Sequence, residues 1–186
     1  MLSVEHLSFS YGNNKIFRDL SFRVEDGECL VIRGENGSGK STLLSVLSGS
    51  LKPDEGTFEA KGRIGLVPQG NSIFEDMTVA ENIRLFAHIA GRKVQRLPFD
   101  LEKYKNTRAS KLSGGFKKRL NVACTLVAAP DIWLFDEPCA NLDEKWRKEI
   151  AEMVISLKKR GCTVIYVSHD PAEYESFADQ VLFMNQ

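Results

Sequence analysis

The chain has 186 residues, of which 42% are hydrophobic and 27% are charged. This length suits one domain of about 100–200 residues, with enough apolar residues for a sizeable core. The 25 Lys and Arg residues balance the 25 Asp and Glu residues. The balance excludes a general polyanion-binding protein, so no nucleic-acid partner is expected.

The cysteines and the first residues exclude two further classes of protein. Cys29, Cys124, Cys139 and Cys162 show no Cys-x-x-Cys spacing, so neither a zinc site nor a disulfide framework is predicted. The first residues lack the basic and apolar regions of a signal peptide. No stretch reaches the ~20 apolar residues of a transmembrane helix. The sequence therefore predicts a cytosolic protein that needs another chain for any membrane span.

The opening of the chain predicts an antiparallel β region. Leu2 to Ser10 alternates apolar and polar residues, as in a half-buried strand. A turn at 11–14 leads to a second strand over Ile16–Val24, and Asp26-Gly27 is another turn signal. Tyr11 offers an aromatic face that could stack on a base. From the residue alone, a role in the turn or the core is the alternative.

A phosphate-binding loop follows the short apolar strand 29–32. Residues 34–42 fit the pattern Gly, four residues, Gly-Lys-Ser/Thr. The glycines allow a tight turn whose N–H groups face inward, and a helix from about Lys40 adds its positive end. Lys40 can reach the β- and γ-phosphates, and the Ser41 hydroxyl can bind Mg²⁺. The nucleotide-binding residues predicted in this loop are Gly34, Glu35, Asn36, Gly37, Ser38, Gly39, Lys40, Ser41 and Thr42.

The middle of the chain predicts two short strands and a helix. The strands are 57–59 and 64–67, and the second ends at Gln69, whose amide oxygen could face a metal ion or a water molecule. Thr78 and Glu81 resemble a capping box before a helix with apolar residues as far as Ile89. Residues 93–111 are polar and basic. They are either a mobile or partner-facing helical segment or a solvated surface.

Two further motifs carry candidate functional groups. Leu-Ser-Gly-Gly at 112–115 opens an amphipathic helix, so the Ser113 hydroxyl and the glycine N–H groups form either an anion site or a simple N-cap. The apolar run 132–135 ends in Asp136 and Glu137. A buried strand that delivers carboxylates to a sheet edge suits an active site: Asp136 for Mg²⁺, and Glu137 for orienting or deprotonating a water molecule.

The remaining pattern alternates helices and strands. The sequence predicts a helix over 144–159, a buried strand over 163–167, a short helix over 171–178 and a last strand over 181–184.

Together these motifs resemble the nucleotide-binding domain of the ABC ATPases, in the family's order and over essentially the whole chain. They are residues 34–42, Gln69, 112–115, 136–138, Ala140-Asn141-Leu142-Asp143 and Ser168-His169-Asp170. The resemblance implies an α/β P-loop NTPase with a mostly parallel core sheet, an N-terminal antiparallel β-subdomain and an inserted helical subdomain. Residues 1–186 would form one such domain, with the core in 1–68 and 130–186 and the helical subdomain at about 69–129.

The resemblance also implies roles for single residues. Tyr11 would stack on adenine, Gln69 would sense the metal and the water, and Asp136 would belong to the Mg²⁺ shell. Glu137 and His169 would be catalytic. The signature residues Ser113, Gly114 and Gly115 would reach the γ-phosphate held by a partner subunit, and Asp143 would be the aspartate of the D-loop.

The function implied is ATP hydrolysis with Mg²⁺ in a head-to-tail homodimer or heterodimer. This dimer would drive a separate transmembrane permease from the cytoplasmic face of the membrane. Residues 74–82 look like those of drug- and ABC-2-type exporters, which favours export. The alternatives are a soluble ABC ATPase of ribosomes or iron–sulfur assembly, and a nucleotide-binding module without turnover, which Glu137 and His169 disfavour.

Three departures from the family pattern stand out. Phe116 replaces the usual Gln, which predicts altered interface packing. Cys139 replaces a common Thr or Ser. The chain stops at Gln186, where many members continue, so it is either a minimal member or a shortened one.

Overall fold

The fold is built on two β-sheets and the helices packed against them. The structure, a computed structural model, describes residues 1–94, 96–140 and 142–184. The strands are β1 (Leu2–Tyr11), β2 (Asn14–Val24), β3 (Cys29–Arg33), β4 (Glu55–Ala60), β5 (Ile64–Val67), β6 (Ile132–Asp136), β7 (Thr163–Val167) and β8 (Gln180–Phe183). The helices are α1 (Lys40–Leu47), α2 (Val79–Ile89), α3 (Gly114–Ala128) and α4 (Glu144–Lys159).

The larger sheet is parallel and has the strand order β5-β6-β7-β3-β8. Every residue of β6 and β7 is buried, because helices and the second sheet cover both faces, as their continuous apolar sequences predict. Leu30, Leu134 and Ile165 pack with α1 and the antiparallel sheet on one face. Trp133 and Tyr166 pack with α4 on the other. The predicted α/β P-loop architecture with a parallel core sheet is confirmed.

The smaller sheet is antiparallel, with the order β2-β1-β4. The buried residues Leu2, Val4, Leu7 and Phe9 of β1 do not keep a strict period of two. The pairing with β2 shifts register between Val4 and Leu7, and His6 adopts a positive φ of 52° there. This bulge adds one residue to β1 and places the Leu7 side chain on the same buried face of the sheet as Val4. The alternation alone did not predict it.

The segment between β5 and β6 carries α2 and α3, which share a separate apolar core. Residues 93–111, predicted as a helical segment or a solvated surface, instead contain 3₁₀ turns at Leu101–Tyr104 and Ala109–Lys111. Leu101 and Ala109 are fully buried in that core, and Val79 donates its N–H to the Thr107 carbonyl at 3.0 Å. Packing of these apolar residues against α2 and α3 therefore holds the described part of this segment in place.

A second prediction needs correction near the end of the chain. Residues 171–178 were expected to form a short helix, but the structure has one 3₁₀ turn at Pro171–Glu173, followed by further turns. The Asp170 carboxylate accepts a hydrogen bond from the Ala172 N–H at 3.1 Å and caps this turn. Buried Tyr174 and Phe177 then pack against β7 and α4, and this packing directs the turns. Over the described ranges, no helix combines the length and hydropathy required to cross a bilayer.

The capping box of α2 is formed as predicted. The Glu81 N–H donates to the Thr78 hydroxyl at 3.2 Å, and the Glu81 carboxylate accepts the Thr78 N–H at 2.7 Å. We expect Thr78→Ala to lower the free energy of unfolding by ~1 kcal/mol, because it leaves the Glu81 N–H without its cap. Urea unfolding of Thr78→Ala and of Thr78→Ser, which keeps the hydroxyl, measures this. Equal losses in both variants would contradict it.

Candidate functional site

The phosphate loop joins the carboxyl end of β3 to α1 and borders a cleft of about 400 Å³. Gly39 precedes α1 with a φ of 91°, and a Cβ at this position would lie 2.5 Å from the Ile16 side chain. Only glycine therefore fits this close contact between the loop and β2. Gly39 has no side chain to cap the helix, so the free N–H groups at the start of α1 are available to an anion. The residues that line the cleft are Ile16, Asn36, Gly37, Gly39, Lys40, Ser41, Thr42, Gln69, Glu137 and His169.

The Lys40 side chain is buried within the loop. Its ammonium donates to the Gly34 carbonyl at 2.9 Å and to the Glu35 carbonyl at 2.7 Å, with the Ser38 hydroxyl at 3.5 Å. These contacts compensate the desolvation of the charge and hold it at the border of the cleft. A cation fixed beside N–H groups at a helix start is a phosphate-binding arrangement.

Asp136 ends β6 directly beside the start of α1. Burial raises the pKa of its carboxyl group, and a hydrogen bond from the Ser41 hydroxyl opposes that rise. Two oxygen ligands of the type that Mg²⁺ prefers therefore lie side by side, and bound phosphates would complete the shell. The donor set fits the predicted cation.

Three predicted residues from distant parts of the chain meet beside this pair. The Gln69 amide Nε2 donates to the Glu137 carboxylate at 3.0 Å, and His169 Nδ1 lies 3.6 Å from the other carboxylate oxygen. Glu137 has a positive φ of 47°, and its N–H donates to the Val167 carbonyl at 3.1 Å. Gln69, Glu137 and His169 follow β5, β6 and β7, which are neighbours in the sheet. Strand order therefore assembles this cluster.

Sequence reasoning missed a polar stripe on α3 that holds the loop carrying Gln69. Lys118, Asn121 and Thr125 are buried at helical spacing. The Lys118 ammonium donates to the carbonyls of Pro68 at 2.9 Å and Gln69 at 3.0 Å. The Asn121 amide donates to the Gly70 carbonyl at 3.0 Å, and the Thr125 hydroxyl to the Leu66 carbonyl at 3.4 Å. The signal was present, since polar residues at i, i+3 and i+7 share one face of a helix.

Lys118 is buried close to Asp136 and also lines a second cleft. Burial lowers the pKa of the Lys118 ammonium, while the neighbouring Asp136 carboxylate acts in the opposite direction. Lys118 also lines a second cleft of about 280 Å³, together with Gln69, Gly114, Gly115 and Glu137. The helix start at 114–115 therefore shares a cleft with Gln69 and Glu137, which also line the phosphate-loop cleft.

Other predicted site residues lie apart from the first cleft. Tyr11 is 53% exposed and packs edge-on against Phe9, with ring centroids 4.9 Å apart. The Ser113 hydroxyl caps α3 by accepting the Phe116 N–H at 3.5 Å, and Asp143 caps α4 by accepting the Trp146 N–H at 2.8 Å. In the described part of the chain, the first cleft is not lined by Tyr11, by residues 113–115 or by Asp143.

Of the two residues that depart from the family pattern, Phe116 is half-buried and Cys139 is buried. Phe116 contacts Tyr104, with ring centroids 4.4 Å apart. Cys139 is buried, its sulfur lies 3.5 Å from the Tyr166 hydroxyl, and burial raises its pKa to about 12. The thiol is therefore protonated at neutral pH. Asn141, part of the predicted D-loop motif, lies outside the described residues.

Sequence comparisons relate the chain to known proteins. A family model described as "ABC transporter" matches residues 17–140. The Nod factor export ATP-binding protein I of Ralstonia nicotianae is 35% identical over 202 residues, covering 97% of this chain and 63% of the relative. The spermidine/putrescine import ATP-binding protein PotA of Mycoplasma mycoides is 33% identical over 207 residues, covering 100% of this chain and 59% of the relative.

The fold also matches a solved protein. A chain described as the ATP binding subunit of an ABC transporter superposes with a TM-score of 0.93 at 25% identity, covering 100% of this chain and 86% of that chain. The present chain thus spans about three fifths of the length of the two curated relatives and most of the solved one.

Proposed function

The chain belongs to the ABC transporter family, and we propose that it is an ATP-binding and ATP-hydrolysing subunit that drives a separate membrane-spanning partner. The observation that carries the proposal is the placement of Gln69, Glu137 and His169 at the border of the phosphate-loop cleft. A cleft that only bound nucleotide would have no need of a carboxylate and an imidazole there.

The chemistry follows from where the groups lie. Transfer of a phosphoryl group to water requires positioning and charge neutralisation more than covalent help. Lys40 and the N–H groups at the start of α1 bind the β- and γ-phosphates. Ser41, Asp136 and the Gln69 amide oxygen would hold Mg²⁺, which neutralises phosphate charge when it is bound.

The hydrolytic step depends on Glu137. Its carboxylate accepts a hydrogen bond from the Gln69 amide, which fixes its orientation toward the cleft. We infer that the Glu137 carboxylate orients the attacking water and takes its proton. The His169 ring, whose Nδ1 lies 3.6 Å from this carboxylate, would contact the γ-phosphate. We assign Asp136 to the cation shell instead, because it lies beside Ser41.

The helix start at 113–115 supports a dimeric site. These residues lie on the second cleft or in solvent and not on the phosphate-loop cleft of their own chain. We propose that a second nucleotide-binding domain, identical or related, packs head to tail so that Ser113, Gly114 and Gly115 reach the ATP of the partner. Such a pairing uses the same surface twice and closes on itself. Asp143 would face this interface from the start of α4, and Tyr11 would stack on adenine.

ATP then works as a switch between two arrangements. ATP makes more contacts with the protein in the closed pair than in the open one. Its binding therefore shifts the population toward the closed pair, and hydrolysis reverses this shift. We propose that residues 69–129 move as a helical subdomain against the core formed by 1–68 and 130–186, and transmit closure to the permease at the cytoplasmic face. Export remains the preferred direction on the resemblance of residues 74–82, although the relatives include both exporters and importers.

Fractionation of the native protein tests the transport role. We expect the chain in washed membranes and, after detergent extraction, in a complex with a multi-spanning protein. Recovery with ribosomes or in a soluble assembly would overturn this role and support a soluble ABC ATPase instead. ATP hydrolysis by the purified chain, measured separately, tests the enzymatic part.

A further inference from the structure

Arg119 links α3 to α4 through two aromatic rings. Its guanidinium carbon lies 5.5 Å from the centroid of the Phe116 ring and 4.9 Å from that of the Trp146 ring. The guanidinium also pairs with Glu149 of α4 at 3.2 Å, and the side chain is only 11% exposed. Such a desolvated cation between aromatic faces is held more strongly than an exposed one.

Trp146 continues this link to the catalytic loop. The indole is fully buried, and its Nε1 donates to the carbonyl of Pro138 at 3.1 Å, one residue after Glu137. The Trp146 N–H donates to the Asp143 carboxylate at 2.8 Å. On its other side the ring meets the Phe99 ring at 5.4 Å and an angle of 78°. One side chain therefore contacts the loop at 138–143 and two residues of the 69–129 segment.

The start of α3 approaches the same loop. A Cβ built on Gly115 would lie 3.6 Å from the Leu142 side chain, so the helix start packs directly beside the residue that precedes Asp143. Arg119 and Trp146 lie behind this contact, between the two helices. A displacement of α3 would therefore reach the loop through two contacts. One is Gly115 against Leu142, and the other runs from Arg119 through Trp146 to Pro138.

We propose that Arg119 and Trp146 are positioning residues that keep the Glu137 carboxylate aligned with the start of α3. Neither lines the phosphate-loop cleft in the described part of the chain, so both act on turnover through Glu137 and not through nucleotide binding. The inference rests on the proposed ATPase function. It gives Phe116 a role as well: an aromatic ring there stacks on Arg119, which an amide would do less well.

Trp146→Phe is the sharpest test, because it keeps an aromatic ring but removes the indole N–H together with the five-membered ring that carries it. We expect kcat for ATP hydrolysis to fall about tenfold, the effect of one ordinary neutral hydrogen bond. The Kd of a fluorescent ATP analogue should not change. Arg119→Lys keeps the charge but loses the planar stacking, and it should lower kcat in the same way.

The chain offers a matched control. Trp133 is equally buried, and its Nε1 donates to the carbonyl of Pro130 at the same distance of 3.1 Å, far from Glu137 along β6. Trp133→Phe should cost similar stability but leave kcat close to that of the wild type. Equal losses of kcat in the two variants, or a weaker Kd in Trp146→Phe, would overturn the link.

Hydrogen exchange separates failure of the link from failure of the proposed ATPase. The N–H groups of Ala140 and Leu142 donate to the carbonyls of Glu137 and Cys139. They should exchange faster in Trp146→Phe and not in Trp133→Phe, with or without activity. Absence of hydrolysis in the wild type would refute the ATPase proposal alone. Unchanged exchange in Trp146→Phe would refute the positioning role.

Discussion

Glu137→Gln is expected to lower ATP turnover at least about a hundredfold, because a general base contributes ~10²–10⁴ to rate. Glutamine keeps the size of the side chain and can still contact the Gln69 amide, which donates to Glu137 at 3.0 Å in the native chain. It cannot accept a proton from water. The backbone at this position, with its positive φ of 47°, should also be retained.

The same variant should reveal the dimer. ATP binding is expected to persist, because the phosphate contacts come from Lys40 and the start of α1. With hydrolysis blocked, ATP should hold two chains together, so gel filtration with ATP and Mg²⁺ should show a dimer that dissociates when the nucleotide is removed. Steady-state phosphate release measures turnover. Glu59→Gln, the same change at an exposed position on β4, is the control and should hydrolyse ATP normally.

Two results would count against this account in different ways. Wild-type turnover in Glu137→Gln would remove Glu137 from its catalytic role. A monomer at all ATP concentrations would instead refute the head-to-tail pair, and Glu137 could then still act within one chain.

Lys40→Ala is expected to weaken ATP binding by about a hundredfold or more. The ammonium has three N–H donors, and two of them would turn from the Gly34 and Glu35 carbonyls to phosphate oxygens. Each charge-assisted hydrogen bond contributes roughly 1.5–3 kcal/mol. A combined loss of about 3 kcal/mol corresponds to a factor of about a hundred in Kd. The substitution also removes the contacts of Lys40 with the Gly34 and Glu35 carbonyls, so the loop should lose its ordered shape.

Titration with a fluorescent ATP analogue measures this change. Lys52→Ala, an exposed lysine just after α1, makes the same chemical change outside the cleft and should bind like the wild type. Lys40→Arg keeps the charge in a larger group and should recover only part of the affinity, because the loop closes tightly around the ammonium. An unchanged Kd in Lys40→Ala would refute the phosphate-loop assignment.

Much of the fold could be predicted from local patterns. The strand, glycine-rich loop and helix over 29–47 were recognisable, because each phosphate contact there comes from a short contiguous segment. The capping box at Thr78 and the buried strands β6 and β7 could also be predicted from their local sequences. The polar 93–111 segment was not. Its few apolar residues pack onto α2 and α3 only once these helices exist.

What the sequence by itself determined is the chemistry of the site: a phosphate loop, a pair of acids at a strand end and a serine–glycine helix start. Tertiary structure alone decided how these parts meet. Gln69, Glu137 and His169 are far apart in the chain, and they converge because β5, β6 and β7 are neighbours in a parallel sheet. The strand order arises from packing over both faces and leaves no local pattern. For the same reason the contacts of Lys118 and Trp146 with neighbouring loops are visible only in the folded chain.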